Sequence, residues 1–528
     1  MKTLIVLLGA LLCVPLMARV EAAGIISGQV LGQDQRGLAG IFVTARHSVS
    51  NIETTVYAGA DGRYALPPLA DGRYTVRAHH ASHEDASSEV DLTAAGASVA
   101  LTLKAAADPL LHASSATWFA AVPDSAQKRE FILNCATCHE VAAGRIVKDG
   151  QLRDKAKWLE AFNLMKALDR YAVIPPDFDI DAYAQWLAQS FSAAQVAKLA
   201  PQPTASTEAQ SSTFSITEYP VPLANELPHD LVVGPDKRIW ITAFWNSQMW
   251  AMDAATGKFE SYAVNDEPNT VAQVRALEFD AAGMLWMVNG GTESVVRLDT
   301  RTRKYATYKL GMYPHDLVID SHGDIWVNDY FAKAERVARV AARDGTVTHI
   351  PLPSAKLPAS AGVPLPYGLQ VDGKDRLWSS QLAANTLARY DIASGKARLY
   401  TMPDDNVGPR RMAVGLDGRI WIPEFNTGRL TSFEPDSERF ETFDTGDSTA
   451  GVYDVAVDPR SGDVWLAASL ASELIHFDVK RKVFTHYPLP TEPAYMRHLA
   501  IDPQNGDVWS AYSSLPTAVP KIVRLRRR

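Results

Sequence analysis

Between residues 214 and 528 one pattern recurs seven times, with a tryptophan at the same place in each copy: Trp240, Trp286, Trp326, Trp378, Trp421, Trp465 and Trp509. The spacing of 40 to 52 residues suits a blade of four short strands. A unit of that size cannot bury its apolar face alone and must stack on its neighbours. A copy such as Met412-Ala413-Val414-Gly415-Leu416-Asp417-Gly418-Arg419-Ile420-Trp421 reads as strand, tight Asp-Gly turn, strand. Aromatic outer strands follow, for example Phe259 to Tyr262 and Phe440 to Phe443. The last copy stops after its third strand, at 521–525, while residues 214–220 stand in front as an orphan fourth. Pairing these ends closes a seven-bladed β-propeller and leaves no free edge.

A ring of blades encloses a channel. The start of each innermost strand and the end of the next strand, about fourteen residues apart, are expected side by side at one rim. The first position reads His229, Arg275, His315, Tyr367, Arg410, Tyr453 and Arg497 around the ring. The second reads Ala243, Asn289, Asp329, Gln381, Glu424, Ala468 and Tyr512. So much imidazole, guanidinium, phenol and carboxylate predicts a site for a polar or anionic ligand, a small-molecule substrate or a partner.

At these residues the region resembles the streptogramin lyase, or virginiamycin B lyase, family. The resemblance is carried by Pro-His-Asp-Leu-Val at 228–232 and 314–318 and by the Asp-Gly-x-Ile-Trp turn at 417–421. It implies opening of a cyclic depsipeptide by elimination at a carbon–oxygen bond, with a His base, Glu partners and a magnesium ion at the channel mouth. A base at the α-proton, an acid at the departing ester oxygen and charge stabilisation at the enolate must then converge. The family's His and Glu map onto His315 and Asp329, which keep the arrangement with a shorter acid. Arg410 and Glu424 keep the acid and lose the histidine, and His229 faces Ala243. No blade preserves the intact pair.

Upstream, Cys135-Ala136-Thr137-Cys138-His139 contains both cysteines left once the leader is removed. Two thiols one helical turn apart can each add to a vinyl group of one porphyrin, and the next imidazole then ligates the iron. Zinc would need a second pair of ligands, and a redox dithiol would want a strand-to-helix setting. The surroundings are instead helical, opened by Asp124 with Gln127 three residues on as a capping box. Residues 115–200 resemble a small class I-type cytochrome c, an all-α domain with one covalent haem c on Cys135 and Cys138 and His139 as axial ligand. Met165, the only methionine between Met17 and Met249, is the expected sixth ligand; His112 is the runner-up, and a vacant site is the third choice.

The remaining segments frame these two. Residues 1–22 read as a cleaved secretory signal, with Lys2, an apolar stretch and a small-residue site before Ala23, which points to the periplasm. Removing Lys2, Arg19 and Glu21, two cations and one anion, takes the formal charge from −8 to −9, a balance that argues against nucleic acid. No later run is apolar enough to span a membrane. Residues 23–105 read as a small β-sandwich, with Tyr74, Val76 and Ala78 on one face of a strand. The echoed Asp61-Gly62-Arg63-Tyr64 and Asp71-Gly72-Arg73-Tyr74 turns resemble the carboxypeptidase regulatory-like domain, which implies a docking role. His79, His80, His83, Glu84 and Asp85 read as a solvated loop rather than a metal cluster. Residues 201–213 read as a linker.

The chain is thus expected to be multidomain and mainly β. The leading function is an exported c-type haem protein that exchanges electrons with a redox partner, its propeller binding a substrate or partner. A carbon–oxygen lyase with an accessory cytochrome and a non-catalytic binding assembly are the alternatives.

Overall fold

The computed structural model describes residues 23–137, 139–169, 174–175, 177–200, 213–264, 270–357, 361–514 and 518–528. The leader, Cys138 and residues 201–212 of the linker lie outside the described residues.

Six sheets of four antiparallel strands stand as separate blades, their inner strands beginning at Pro228, Val274, Pro314, Pro366, Ala413 and Val452. The repeat tryptophans sit between blades; Trp240, Trp326, Trp378 and Trp421 are at most 2 % exposed. The turn acid ahead of each accepts the indole N–H in several copies, Asp280 from Trp286 and Asp320 from Trp326, both at 2.8 Å. In these copies the turn and the tryptophan are one device, the turn acid satisfying the single donor of a large buried side chain, whereas the buried indole N–H of Trp509 has no partner among the described residues.

The seventh repeat departs from expectation. Met496–Ile501, Val508–Ser514 and Ala518–Arg527 pair in order, and Ala518–Arg527 takes Phe214–Pro220 as its next neighbour, with Ile216 opposite Leu525. The far edge of Phe214–Pro220 pairs in turn with Glu53–Tyr57 of the N-terminal domain, Ile216 opposite Thr55. Seven separate blades are thus corrected to six four-stranded blades and one eleven-stranded sheet shared with the N-terminal domain. The cause is the edge itself: an unpaired row of N–H and C=O groups is satisfied by the next available strand. Lys521 reinforces the seam, its Nζ donating to Glu53 at 2.6 Å and to Glu218 at 3.0 Å.

The N-terminal domain keeps its predicted alternation, with Tyr74, Val76 and Ala78 buried against Val30, Val43, Val56 and Leu101. Its histidines do not form a solvated loop. His79, next to last in the strand Gly72–His80, is buried, Nε2 meeting Thr44 Oγ1 at 3.1 Å, while His83 opens the strand His83–Leu92. His79, His80, His83, Glu84 and Asp85 line a cavity of about 1070 Å³ where this domain, residues 106–117 and the last blades meet.

The middle segment carries helices α1 (Ser115–Phe119), α2 (Ala126–Cys135), α3 (Ala143–Ile146), α4 (Lys155–Leu168), α5 (Ile180–Ser190) and α6 (Ala193–Val196). The cap of α2 is Ser125, whose Oγ accepts from Lys128 N at 3.1 Å, one residue later than the sequence reading placed it. An independent all-α domain is not what forms. Two short strands intervene, and the helical core of Trp118, Phe119, Phe131, Leu187 and Phe191 is continuous with Tyr367, Phe425, Tyr453 and Tyr495 of the propeller. Only α2, α4 and α5 reach ten residues, so the helices present too little apolar face to close a core alone and complete it on the blades.

Candidate functional site

The seven first-position residues do converge at one end of the channel. His229, His315, Tyr367, Arg410, Tyr453 and Arg497 are all buried. The His315 ring stacks on Tyr330 at 4.5 Å and meets Tyr367 at 4.4 Å, with His229 edge-on at 6.4 Å. The Tyr367 and Tyr453 hydroxyls are hydrogen-bonded to each other. Arg410 lies over Tyr453, Phe425 and Tyr367, and Arg275 over Phe244, Tyr313 and Tyr330.

The second-position residues do not join them. Pro314, not His315, is opposite Asp329, and a register shift follows; Pro228 opposite Ala243 and Pro366 opposite Gln381 repeat this offset. A step of one residue turns a side chain to the other face of the strand. Asp329 accordingly accepts from Arg336 Nε at 2.7 Å. Glu424 accepts from Arg429 Nε at 2.8 Å and from the Thr427 and Thr431 hydroxyls at 2.6 Å. The pairing of His315 with Asp329 inferred from spacing is therefore corrected: each acid is held within its own blade. His315 donates from Nδ1 to the Tyr367 carbonyl at 3.0 Å, and burial together with Arg275 and Arg411 holds its pKa well below the ordinary imidazole value.

Reading one residue further along each inner strand would have revealed a second layer, because alternation directs these side chains elsewhere. Asp230, Asp316, Arg411, Asp454 and His498 line a cavity of about 270 Å³. Arg411 pairs with Asp230 at 2.7 Å and lies 3.9 Å from Asp316. Burial outweighs Arg411 at two of the acids, raising Asp316 to about 6 and Asp454 to about 7. Among the described residues, no group of three or more His, Cys, Asp or Glu side chains is placed to hold a metal ion, at this layer or at the mouth.

The mouth is covered by the helical segment. Ala116 N donates to Leu470 O at 2.8 Å, and Thr449 Oγ1 to Ala116 O at 3.2 Å. Two contacts reach the Cys-x-x-Cys-His run itself. Tyr495 Oη donates to the carbonyls of Ala136 at 2.8 Å and Thr137 at 3.0 Å, and Arg410 Nη2 donates to the Thr137 carbonyl at 3.0 Å and to its hydroxyl. Tyr495 and Thr137 were not singled out in the sequence; only the fold brings positions 358 and 359 residues apart together.

The described part of the motif suits a haem ligand set. Cys135 ends α2 and is half-buried. His139 donates from Nδ1 to the Glu140 carbonyl at 2.7 Å, which leaves Nε2 as the basic nitrogen, the arrangement metal-bound imidazoles adopt. Burial lowers its pKa, against the pull of that hydrogen bond, and so favours the neutral ring. Met165 is half-buried on α4, next to Leu164 (55 % exposed) and ahead of Leu168 (64 %), apolar side chains that the protein itself leaves uncovered. His112 is exposed and lines the large cavity, whose walls include none of the described motif residues.

Residues 214–519, more than half of the chain, match the virginiamycin B lyase family. The chain belongs to that family. Residues 25–105 match the carboxypeptidase regulatory-like domain. Among solved structures, a streptogramin B lyase is 20 % identical with a TM-score of 0.53, covering 60 % of this chain and 98 % of its own. A selenomethionine-substituted virginiamycin B lyase from Staphylococcus aureus is 19 % identical with a TM-score of 0.52, covering 59 % and 99 %. At these identities the likeness of this family member to both is one of fold. No curated protein matches in sequence. Among the described residues, no helix is long and apolar enough to cross a membrane.

Proposed function

We propose that this lyase-family chain is an exported, periplasmic c-type haem protein in which the propeller serves as the seat of the haem-bearing segment and as a binding surface for a redox partner protein or small-molecule substrate. In this reading the thiols of Cys135 and Cys138 would hold one haem c, and His139 and Met165 would supply the nitrogen and sulfur ligands to its iron. The quartet containing Met496–Ile501 and Phe214–Pro220 acts as a seventh blade; its inner strand packs on the inner strands at both Pro228–Val233 and Val452–Val457. Bound haem supplies one-electron exchange at iron. The chain's own residues orient it: Arg410 and Tyr495 hold the motif carbonyls, and Glu140 fixes the His139 tautomer.

The observation that carries this reading is the engagement of the motif with the channel mouth. Family membership supports a lyase-like or a binding propeller. The mouth favours binding: His315 is 1 % exposed beneath aromatic rings, and Asp329 and Glu424 are tied to arginines of their own blades. A bulky cyclic substrate has no open route to these groups while the helical segment is seated.

Expression of the mature chain with haem-attachment machinery tests the proposal. Covalent haem that survives denaturation, is lost in Cys135→Ser and Cys138→Ser, and changes its spectrum in Met165→Ala is the expected result. Colourless protein with both thiols reactive, together with elimination of a streptogramin B substrate that disappears in His315→Ala, would replace it with the lyase reading.

A further inference from the structure

Arg410 does more than tether the motif loop. Its side chain is fully buried, with the guanidinium carbon 3.8 Å from the ring centroid of Tyr453, 3.9 Å from Phe425 and 4.6 Å from Tyr367. Its Nη2 is spent on Thr137, while Nε and Nη1 have no hydrogen-bond partner among the described residues. Among those residues no carboxylate lies within ion-pair distance of it; the ionisable groups acting on it most strongly are Tyr367, Tyr453, Tyr495 and Tyr330. The rings stabilise the cation through their faces without neutralising it. A buried charge that lacks a counter-ion and is shielded from salt keeps a long-ranged field.

That field acts on the sequence between the two attachment cysteines, because Thr137 lies between Cys135 and Cys138. We propose that Arg410 is a positioning residue that also sets the reduction potential of the attached haem: its positive charge favours the iron state carrying one positive charge fewer, and so raises the potential. The inference rests on the haem reading above. The electron itself comes from, or goes to, a redox partner protein; Arg410 exchanges neither electron nor proton.

The test uses the full mature chain, matured with haem, and follows the midpoint by spectroelectrochemical titration, with circular dichroism as the check on folding. Arg410→Met is expected to shift the midpoint downward beyond titration error, and Arg410→Lys to retain most of the wild-type value. Tyr495→Phe, which cuts the tether to Ala136 and Thr137 without removing charge, is expected to leave the midpoint in place. Should Arg410→Met fail to fold, Arg410→Gln carries the same comparison. A folded, haem-loaded neutral variant with an unmoved midpoint overturns the inference and leaves the haem reading standing. An equal fall in Tyr495→Phe also overturns it, since loop position and not charge would then govern the potential. A wild-type chain without a Soret band overturns the haem reading itself.

Discussion

Arg410 and Arg411 are consecutive residues, both essentially buried, yet their surroundings are opposite in kind. Arg410 meets aromatic rings and a carbonyl at the mouth, with no carboxylate in reach among the described residues. Arg411 faces Asp230, Asp316 and Asp454 inside the channel. One charge is caged and the other neutralised. Strand alternation alone separates them, since neighbouring side chains leave a strand on opposite sides. The channel thus has two chemically distinct layers built from one short stretch of each blade. The lesson is that a ring of polar residues does not define a site until its phase along the strand is known.

Removing Arg411 should show the larger effect. Arg411→Met leaves buried acids without their cation, and a loss of about 3–5 kcal/mol is expected from chemical denaturation. Arg410→Met abandons no carboxylate, and its loss of a charged hydrogen bond is expected to cost about 1.5–3 kcal/mol. Equal losses would mean that the two layers are not distinct.

The pH dependence should separate the layers next. Asp316 and Asp454 have folded-state pKa values of about 6 and about 7, raised from 3.8 mainly by burial. The folded protein holds these protons longer than the unfolded chain. Their contribution is therefore fully present below about pH 4 and is lost as pH rises through 6 to 7, by up to about 1.4 kcal/mol per pH unit per group. His315 works the other way. Its folded pKa lies well below 6.5, so its contribution is present above 6.5 and lost as pH falls. Within the inner layer His498, lowered to about 4 by burial, also follows the histidine sign. Urea midpoints at pH 5 and pH 8 check both layers: Asp454→Asn should flatten the decline toward pH 8, and His315→Gln the decline toward pH 5. Profiles parallel to wild type in both variants would remove the electrostatic distinction.

The smallest effect is expected from Tyr495→Phe. Losing one hydroxyl that serves two carbonyls should cost about 1 kcal/mol and speed amide exchange at 135–139, with the absorption spectrum unchanged. No change in exchange would mean that the mouth does not hold the loop.

Much of the architecture could be read along the chain because it depends on local periodicity. The recurring tryptophans, the Asp-Gly turns and the period-two strands announce blades, since each blade satisfies its own hydrogen bonds and stacks on a neighbour close in sequence. The strand Phe214–Pro220 could be matched to the incomplete last repeat for the same reason, and the N-terminal sandwich declared its buried face through Tyr74, Val76 and Ala78. The first rim positions were legible as a set.

Their partners were not. Whether Asp329 meets His315 or Arg336 turns on a one-residue bulge, for which spacing carries no signal. That Phe214–Pro220 would accept Glu53–Tyr57 on its far edge depends on which polar edge comes within reach after the ring forms. That short helices would finish their core on tyrosines of the propeller depends on apolar surface left over by two incomplete units. Residue order could specify each repeat and the Cys-x-x-Cys-His run because those are local agreements between neighbours. The seating of Ala136 and Thr137 against Tyr495 and Arg410 joins segments hundreds of residues apart, and only packing in three dimensions selects that contact from all the others the same side chains could make.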